Sequence, residues 1–413
     1  MSDHFPLLFW NYTSIASFPD PVALVRQWQG AGMTFAMSPN IDGTPGQVAQ
    51  ARALLDAAEG AQMQVVVRDD RFDWRRLTDR GEENYRQQIS AAAAQLGAHP
   101  AVFGFHVGDE PGAPEFADAC AAMRMCREVL PHKTPFLNLL PWHQGGLERV
   151  GATDWPSYLD SFITTAKADL LCYDCYAQMN PGREGWDLYF ENLRFYADAA
   201  RRHGIPYWTT LLSMGHFRYR CPSEDDFRWQ LSTAVAHGAR GILYFHFYTG
   251  TNDNYRLGPI DEFGDPTPTY DSLRRVNRRF TGKADGLFLQ LTLERVEHVG
   301  EAFGGFPLFT GEGRVIEASS RHGTPLIISE FRHDNGDLYV LVTNNSCEES
   351  TAAEFWVRGT HPSLENVQWN GAHVPAAGDG WTQERQADRA GAAPWLAPGQ
   401  MELYRVVDET DGA

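Results

Sequence analysis

Apolar positions arrive in short runs along the first part of the chain. They begin at Leu7 (LLFWNY), Thr34 (TFAMSP), Gln64 (QVVVRDD), Val102 (VFGFHVGDE), Pro135 (PFLNLLP), Leu170 (LLCYDCYA), Pro206 (PYWTTLLS) and Gly241 (GILYFHFY). Their length and aromatic or β-branched content predict strands. Longer segments between them, such as TPGQVAQARALLDAAEGA and GWDLYFENLRFYADAARRHGI, read as helices. Gly60, Gly97, Gly204 and Gly238 each fall where a helix should stop. Ser223 followed by Asp226 resembles a capping box, with Asp in place of Glu or Gln. Strict alternation implies parallel strands joined by crossover helices. Eight such units predict a (β/α)8 TIM barrel, whose usual length is ~250 residues. The alternative, a doubly wound sheet, is disfavoured as a dinucleotide fold. The segment after the first run, NYTSIASFPDP, has no Gly-rich phosphate turn.

The texture then changes. A loop rich in Gly, Pro, Asp and Asn (TGTNDNYRLGPIDEFGDPTPTY) precedes a closing helix, YDSLRRVNRRFTGKADGLFLQL. Beyond it, GRVIEASS, TPLIISEFRHDNGDLYVLVTNNS, AAEFWVRGT and GQMELYRVV alternate with period two, and DNGD signals a hairpin. The expected division is a catalytic barrel over residues 1–300 and a small antiparallel, sandwich-like β-domain over residues 301–413.

Period two also assigns faces. In the fourth run, Phe103, Phe105 and Val107 should face the helices. Gly104, His106, Gly108 and Glu110 should point inward, with Glu110 at the C-terminal end where such barrels carry their chemistry. Asp109 should lean toward neighbouring loops. In the eighth run, Leu243, Phe245 and Phe247 should face out, and Tyr244, His246 and Tyr248 in. In the sixth, Asp174 and Tyr176 share the inward face. Asn11, Asn138, Trp142, His143, Trp208 and His216 complete the expected rim. That mixture of acids, amides, imidazoles and flat rings suits a carbohydrate, whose hydroxyls need polar partners and whose C–H face needs an apolar one. Glycosidic cleavage uses two carboxyl groups. Glu110 is the expected general acid, its proton retained by desolvation, and Asp174 the expected second carboxylate.

Composition narrows this further. Of 413 residues, 43% are hydrophobic and 21% charged, a normal globular mixture. The formal net charge of −18 argues against nucleic acid and anionic membrane surfaces as partners. Six cysteines make no disulfide framework. Cys172 and Cys175, three apart on a strand, point to opposite faces and do not converge on a metal. A metal-assisted site built from His106, Asp109, His143 and His246 lacks any paired ligand spacing. No cofactor and no metal are expected. With no basic leader and no run of ~20 apolar residues, the expected location is cytoplasmic. Oligomeric state is left open.

At GFHVGDEPG the chain resembles the retaining (β/α)8 glycoside hydrolase superfamily that includes β-galactosidases and cellulase-like enzymes. There strand four ends in Asn-Glu-Pro with the Glu as acid/base, so the resemblance implies that role for Glu110. DLLCYDCYA, GARGILYFHFY and FGDPTPTYDSLRRVNRRF are similar to other segments of such enzymes. Two departures stand out. Asp109 replaces the Asn. Strand seven, PYWTTLLSMGH, carries no acid where that superfamily places its nucleophile. The Tyr-Asp of CYD is also similar to chitinase-like barrels, but those carry an Asp where this chain has Gly108. The expectation is therefore a glycosidase of carbohydrate metabolism acting on a small oligosaccharide or glycoside. The alternative is a carbohydrate-binding pseudoenzyme.

Overall fold

The computed structural model describes residues 3–378, 381–382 and 384–408. Eight strands form where the apolar runs predicted them: β1 Leu7–Phe9, β2 Phe35–Met37, β3 Gln64–Val67, β4 Val102–Asp109, β5 Thr134–Asn138, β6 Leu171–Asp174, β7 Tyr207–Leu212 and β8 Ile242–Phe245. All pair in parallel, as β2-β3-β4-β5 and β6-β7-β8-β1. Both seams are bridged. The Leu139 N–H donates to the Cys172 carbonyl at 2.8 Å, and the Thr34 N–H donates to the Leu7 carbonyl at 3.1 Å. Each strand therefore has a neighbour on either side. Side chains from all eight meet in one apolar cluster: Leu8, Phe35, Val66, Phe103, Phe136, Cys172, Trp208 and Leu243. The helices pack outside, several with the caps the sequence foretold. Ser223 and Asp226 form a reciprocal capping box, and Gly204 ends its helix at φ 65°.

Two faces differ from the simple alternation, each for a local reason. β4 carries two bulges. Val65 and Val66 of β3 oppose Val102 and Gly104, which leaves Phe103 as an extra residue. Phe103 turns inward, 5.4 Å from Phe35 and 5.3 Å from Trp208 between ring centres, instead of outward. Further on, His106 and Gly108 oppose Phe136 and Leu137, so Val107 and Gly108 share one partner position. A bulge shifts the parity of everything after it. Asp109, not Glu110, consequently lies opposite Asn138. In β8 the expected faces are reversed. Leu243 and Phe245 pack in the interior, while Tyr244 points outward and donates its hydroxyl to Asn277 Oδ1 of the closing helix at 2.9 Å. A buried phenol needs a partner, and the helix supplies one.

After the closing helix Pro268–Leu289, an antiparallel sheet starts earlier than the sequence suggested. Leu291–Val299 forms its edge, paired with Leu326–His333, and the sheet continues through Leu338–Asn344 and Met401–Val407. The DNGD turn joins Leu326–His333 to Leu338–Asn344, with Gly336 at φ 95°. One face of this sheet shares a core with the helices. Ile327, Phe331, Leu341 and Leu403 belong to the same cluster as Phe227, Ala234 and Phe280. Among the described residues, no helix is long and apolar enough to cross a membrane.

A histidine pair sits in that seam. His237 Nδ1 donates to the Thr233 carbonyl at 2.7 Å, which leaves its Nε2 as an acceptor. His298 Nδ1 accepts the Phe303 N–H at 3.3 Å, so its proton is on Nε2. The two Nε2 atoms meet at 3.1 Å, and the only consistent arrangement is His298 donating to His237, both neutral. Burial pushes both imidazoles below the ordinary range. Protonating either would set two donors against each other.

The unfolded chain therefore takes up protons near pH 6.5 that the native pair refuses. Stability is full above that value and falls as pH drops. Urea unfolding of wild type and His298→Phe between pH 6 and pH 4.5 should show a shallower loss in the variant. The difference should be about one proton, ~1.4 kcal/mol per pH unit; identical slopes would dismiss the pair as the cause. At the second bulge, a Cβ on Gly108 would fall 2.1 Å from Trp74 Cδ1. Gly108→Ala should cost about 2–3 kcal/mol in the same assay through overpacking.

Candidate active site

The C-terminal ends of β4, β5 and β6 bring three carboxyl groups together. Asn138, ending β5 and 2% exposed, donates from Nδ2 to Asp109 Oδ1 at 3.1 Å and to Asp174 Oδ1 at 2.8 Å. Glu110 follows the second bulge with φ 47°. Its N–H donates to the Asn138 carbonyl at 2.9 Å, which ties it to the end of β5. Its charge acts on Asp174 and on Asp109. On its other side, Arg149 Nη2 donates to Glu110 Oε2 at 3.3 Å.

Burial does not fall where the sequence placed it. Glu110 keeps 31% of its side chain exposed and holds an ion pair at the rim. It is not the desolvated inward acid that parity implied; the extra residue in β4 hands that position to Asp109. Burial first, and then the Glu110 charge, raise Asp109 to about 6. Asp174 is pushed well above the carboxylate range by burial, then by Glu110 and Asp109. The Asn138 amide opposes both shifts without cancelling them. Asp109 and Asp174 thus bind a proton more tightly than a free carboxyl does, the direction that general acid–base chemistry requires.

Imidazoles and aromatic rings surround it. His106, 6% exposed, sits edge-on to Trp10 at 5.3 Å, and burial with the Arg68 and Arg75 charges lowers it to about 3. His246 and His216 are lowered by burial to about 4 each. Tyr176 lies 5.8 Å from His216 and is held protonated by burial and the Asp174 charge. Asn11 is 1% exposed, and its Oδ1 accepts from the Thr13 N–H at 3.0 Å.

Four expected rim residues lie elsewhere. Trp142 packs on Trp155 and Phe195, between helices. His143 turns to its own loop, with Nδ1 bonded to the Gln144 carbonyl at 3.0 Å. Trp208 belongs to the interior apolar cluster, stacked on Phe103. Tyr248 faces the helices, where Trp28 Nε1 donates to its hydroxyl at 2.8 Å. Residues that the sequence reading missed take their places. Tyr12 is half exposed and stacks with the Arg68 guanidinium at 4.9 Å. Tyr219 and Tyr255 flank His216 at 5.2 and 5.4 Å. All sit in loops that follow strands, where period two says nothing. Only their position after a strand end could have signalled them.

The raised acids weaken the fold where they ionise. Between about pH 4 and pH 6 the native chain holds a proton on Asp109 that the unfolded chain releases, so stability falls as pH rises through that window. Asp109→Asn should be more stable than wild type at pH 8 by about 1–3 kcal/mol, with the gain vanishing by about pH 4. Denaturant midpoints at the two pH values check this.

No family model and no curated protein matches the chain. Solved structures do resemble it. A family 5 glycoside hydrolase of Bacteroides vulgatus ATCC 8482 aligns with TM-score 0.55 at 12% identity, over 98% of this chain and 89% of that one. A glucosidase from Croceicoccus marinus aligns with TM-score 0.50 at 12% identity, over 99% and 96%. A β-galactosidase from the psychrophilic Marinomonas ef1 aligns with TM-score 0.50 at 12% identity. That match covers 67% of this chain, which spans only 59% of the galactosidase. At such identities the likeness is one of fold: the chain has the fold of glycoside hydrolase structures.

Proposed function

We propose that the eight strands close a (β/α)8 barrel, that a second β-domain begins at Leu291, and that the protein is a glycoside hydrolase acting on a small oligosaccharide or glycoside. The observation that carries this reading is the carboxyl cluster at the ends of β4 and β6, tied by Asn138. Glu110 and Asp174 are the reacting pair, with Asp109 beside them. In the free protein burial favours the protonated form of Asp174. A substrate entering the site meets both groups. The protonated partner donates to the leaving glycosidic oxygen, and the ionised one faces the anomeric carbon or a water. Glu110, at the rim and resembling the acid/base of Asn-Glu-Pro enzymes, is the donor, and the proton it delivers comes from Asp174, which is left ionised. Arg149, which donates to Glu110 Oε2 in the free protein, releases it in the same step.

A second reading has one observation in its favour. The end of β7, Leu211–Leu212 followed by Ser213 and Met214, is buried and offers no acid. A sugar-binding protein without turnover would need none.

Turnover of a panel of aryl glycosides and disaccharides separates the two. Glu110→Gln and Asp174→Asn should each lower kcat/KM by about 100- to 10,000-fold on whichever substrate wild type cleaves. Wild-type rates in Glu110→Gln would refute the assignment. Sugar binding by wild type without any cleavage would establish the second reading.

A further inference from the structure

Two loops rise beside the carboxyl cluster, one after β7 and one after β8, and they are built as one wall. Gly215 and Arg256 exchange backbone hydrogen bonds, each 3.0 Å. Asn254 grips Phe217 from both sides: its Oδ1 accepts the Phe217 N–H at 2.7 Å, and its Nδ2 donates to the Phe217 carbonyl at 2.8 Å. The Arg256 guanidinium donates to the Asn254 and Tyr219 carbonyls at 3.0 and 3.2 Å. What this scaffold holds is an aromatic ring in water. Phe217 is 63% exposed, at φ 45°, a backbone region costly for a bulky residue. Folding gains nothing from presenting a phenyl ring outward in a strained turn.

The ring is continuous with the site. From Asp174, Tyr176 leads to His216 at 5.8 Å, His216 to Phe217 at 5.0 Å, and His216 stacks on Tyr255 at 5.4 Å and 26°. Tyr255 continues to His246 at 5.2 Å, and His246 to the half-exposed Tyr12 at 5.8 Å. Flat apolar faces therefore extend one ring beyond the carboxyl pair, on the wall rather than in the floor. A pyranose presents a matching C–H face.

We propose that Phe217, backed by Tyr255, is the platform of a stacking subsite for the sugar ring next to the one held at the carboxyls, which makes the natural substrate a disaccharide or longer. The inference rests on the glycosidase reading and adds a residue outside its chemistry.

Saturation-transfer NMR with glucose, galactose, cellobiose, lactose, gentiobiose and laminaribiose tests it on full-length Glu110→Gln protein, with and without Phe217→Ala or Phe217→Trp. At least one disaccharide should bind about tenfold tighter than its monosaccharide. Phe217→Ala should remove that advantage and the saturation of the second ring, leave the monosaccharide unchanged, and Phe217→Trp should preserve both. A disaccharide advantage that survives Phe217→Ala would overturn the subsite, as would monosaccharide binding with no disaccharide advantage; in both cases the glycosidase reading stands. If no sugar binds and no glycoside is cleaved, both fall.

Discussion

One side-chain amide carries the geometry of this site. Asn138 gives its single Nδ2 to two carboxyl groups from different strands, and so brings Asp109 and Asp174 next to each other. Without such a donor, two buried acids facing one another repel, and each also loses its hydration. With it, the pair is tolerated at the cost of raised proton affinity. Glu110 stands beside them, and its charge raises both further. The arrangement weakens the fold where the acids ionise, and shifts of this kind cluster at functional sites.

The cluster depends in turn on β4 being irregular. A regular strand would have sent Asp109 away from Asn138. The second bulge inserts one residue at Val107 and Gly108, and Gly108 admits it because the Trp74 indole presses on its backbone where a side chain would be. The Trp74 N–H, donating to the Val107 carbonyl at 2.8 Å, fixes the distorted turn from outside. A glycine that looks incidental in the sequence therefore decides which acid faces the cavity.

The antiparallel sheet contributes nothing to the carboxyl cluster directly, yet it is not a loose appendage. Its face shares apolar side chains with the outer helices, Trp229 Nε1 donates across the seam to Asn345 Oδ1 at 2.8 Å, and Lys283 pairs with Glu402. The neutral histidine pair lies in the same seam, among Phe190, Phe303 and Phe306. The helices that back β7 and β8 are thereby held from behind, and these two strands launch the aromatic wall.

Period and composition alone determined the order of elements, the parallel strands, the closing helix, the β-rich end and the candidate acids at the ends of β4 and β6. Those features follow from local patterns: burial on one face repeats every two or 3.6 residues, and a cap is a short-range hydrogen bond. The sequence missed the strand Leu291–Val299, whose alternation is blurred by Glu294, Arg295 and Glu297 at an edge. It also misplaced the faces of β4 and β8, and took Trp142, Trp208 and Tyr248 for rim residues. Tertiary structure decided these points because each turns on a partner far away in the chain: Leu137 and Trp74 for the bulge, Asn277 for Tyr244, Phe103 for Trp208. A bulge leaves no period of its own, and a loop residue such as Tyr12, Phe217 or Tyr255 acquires its neighbours only when separate strand ends are gathered at one mouth.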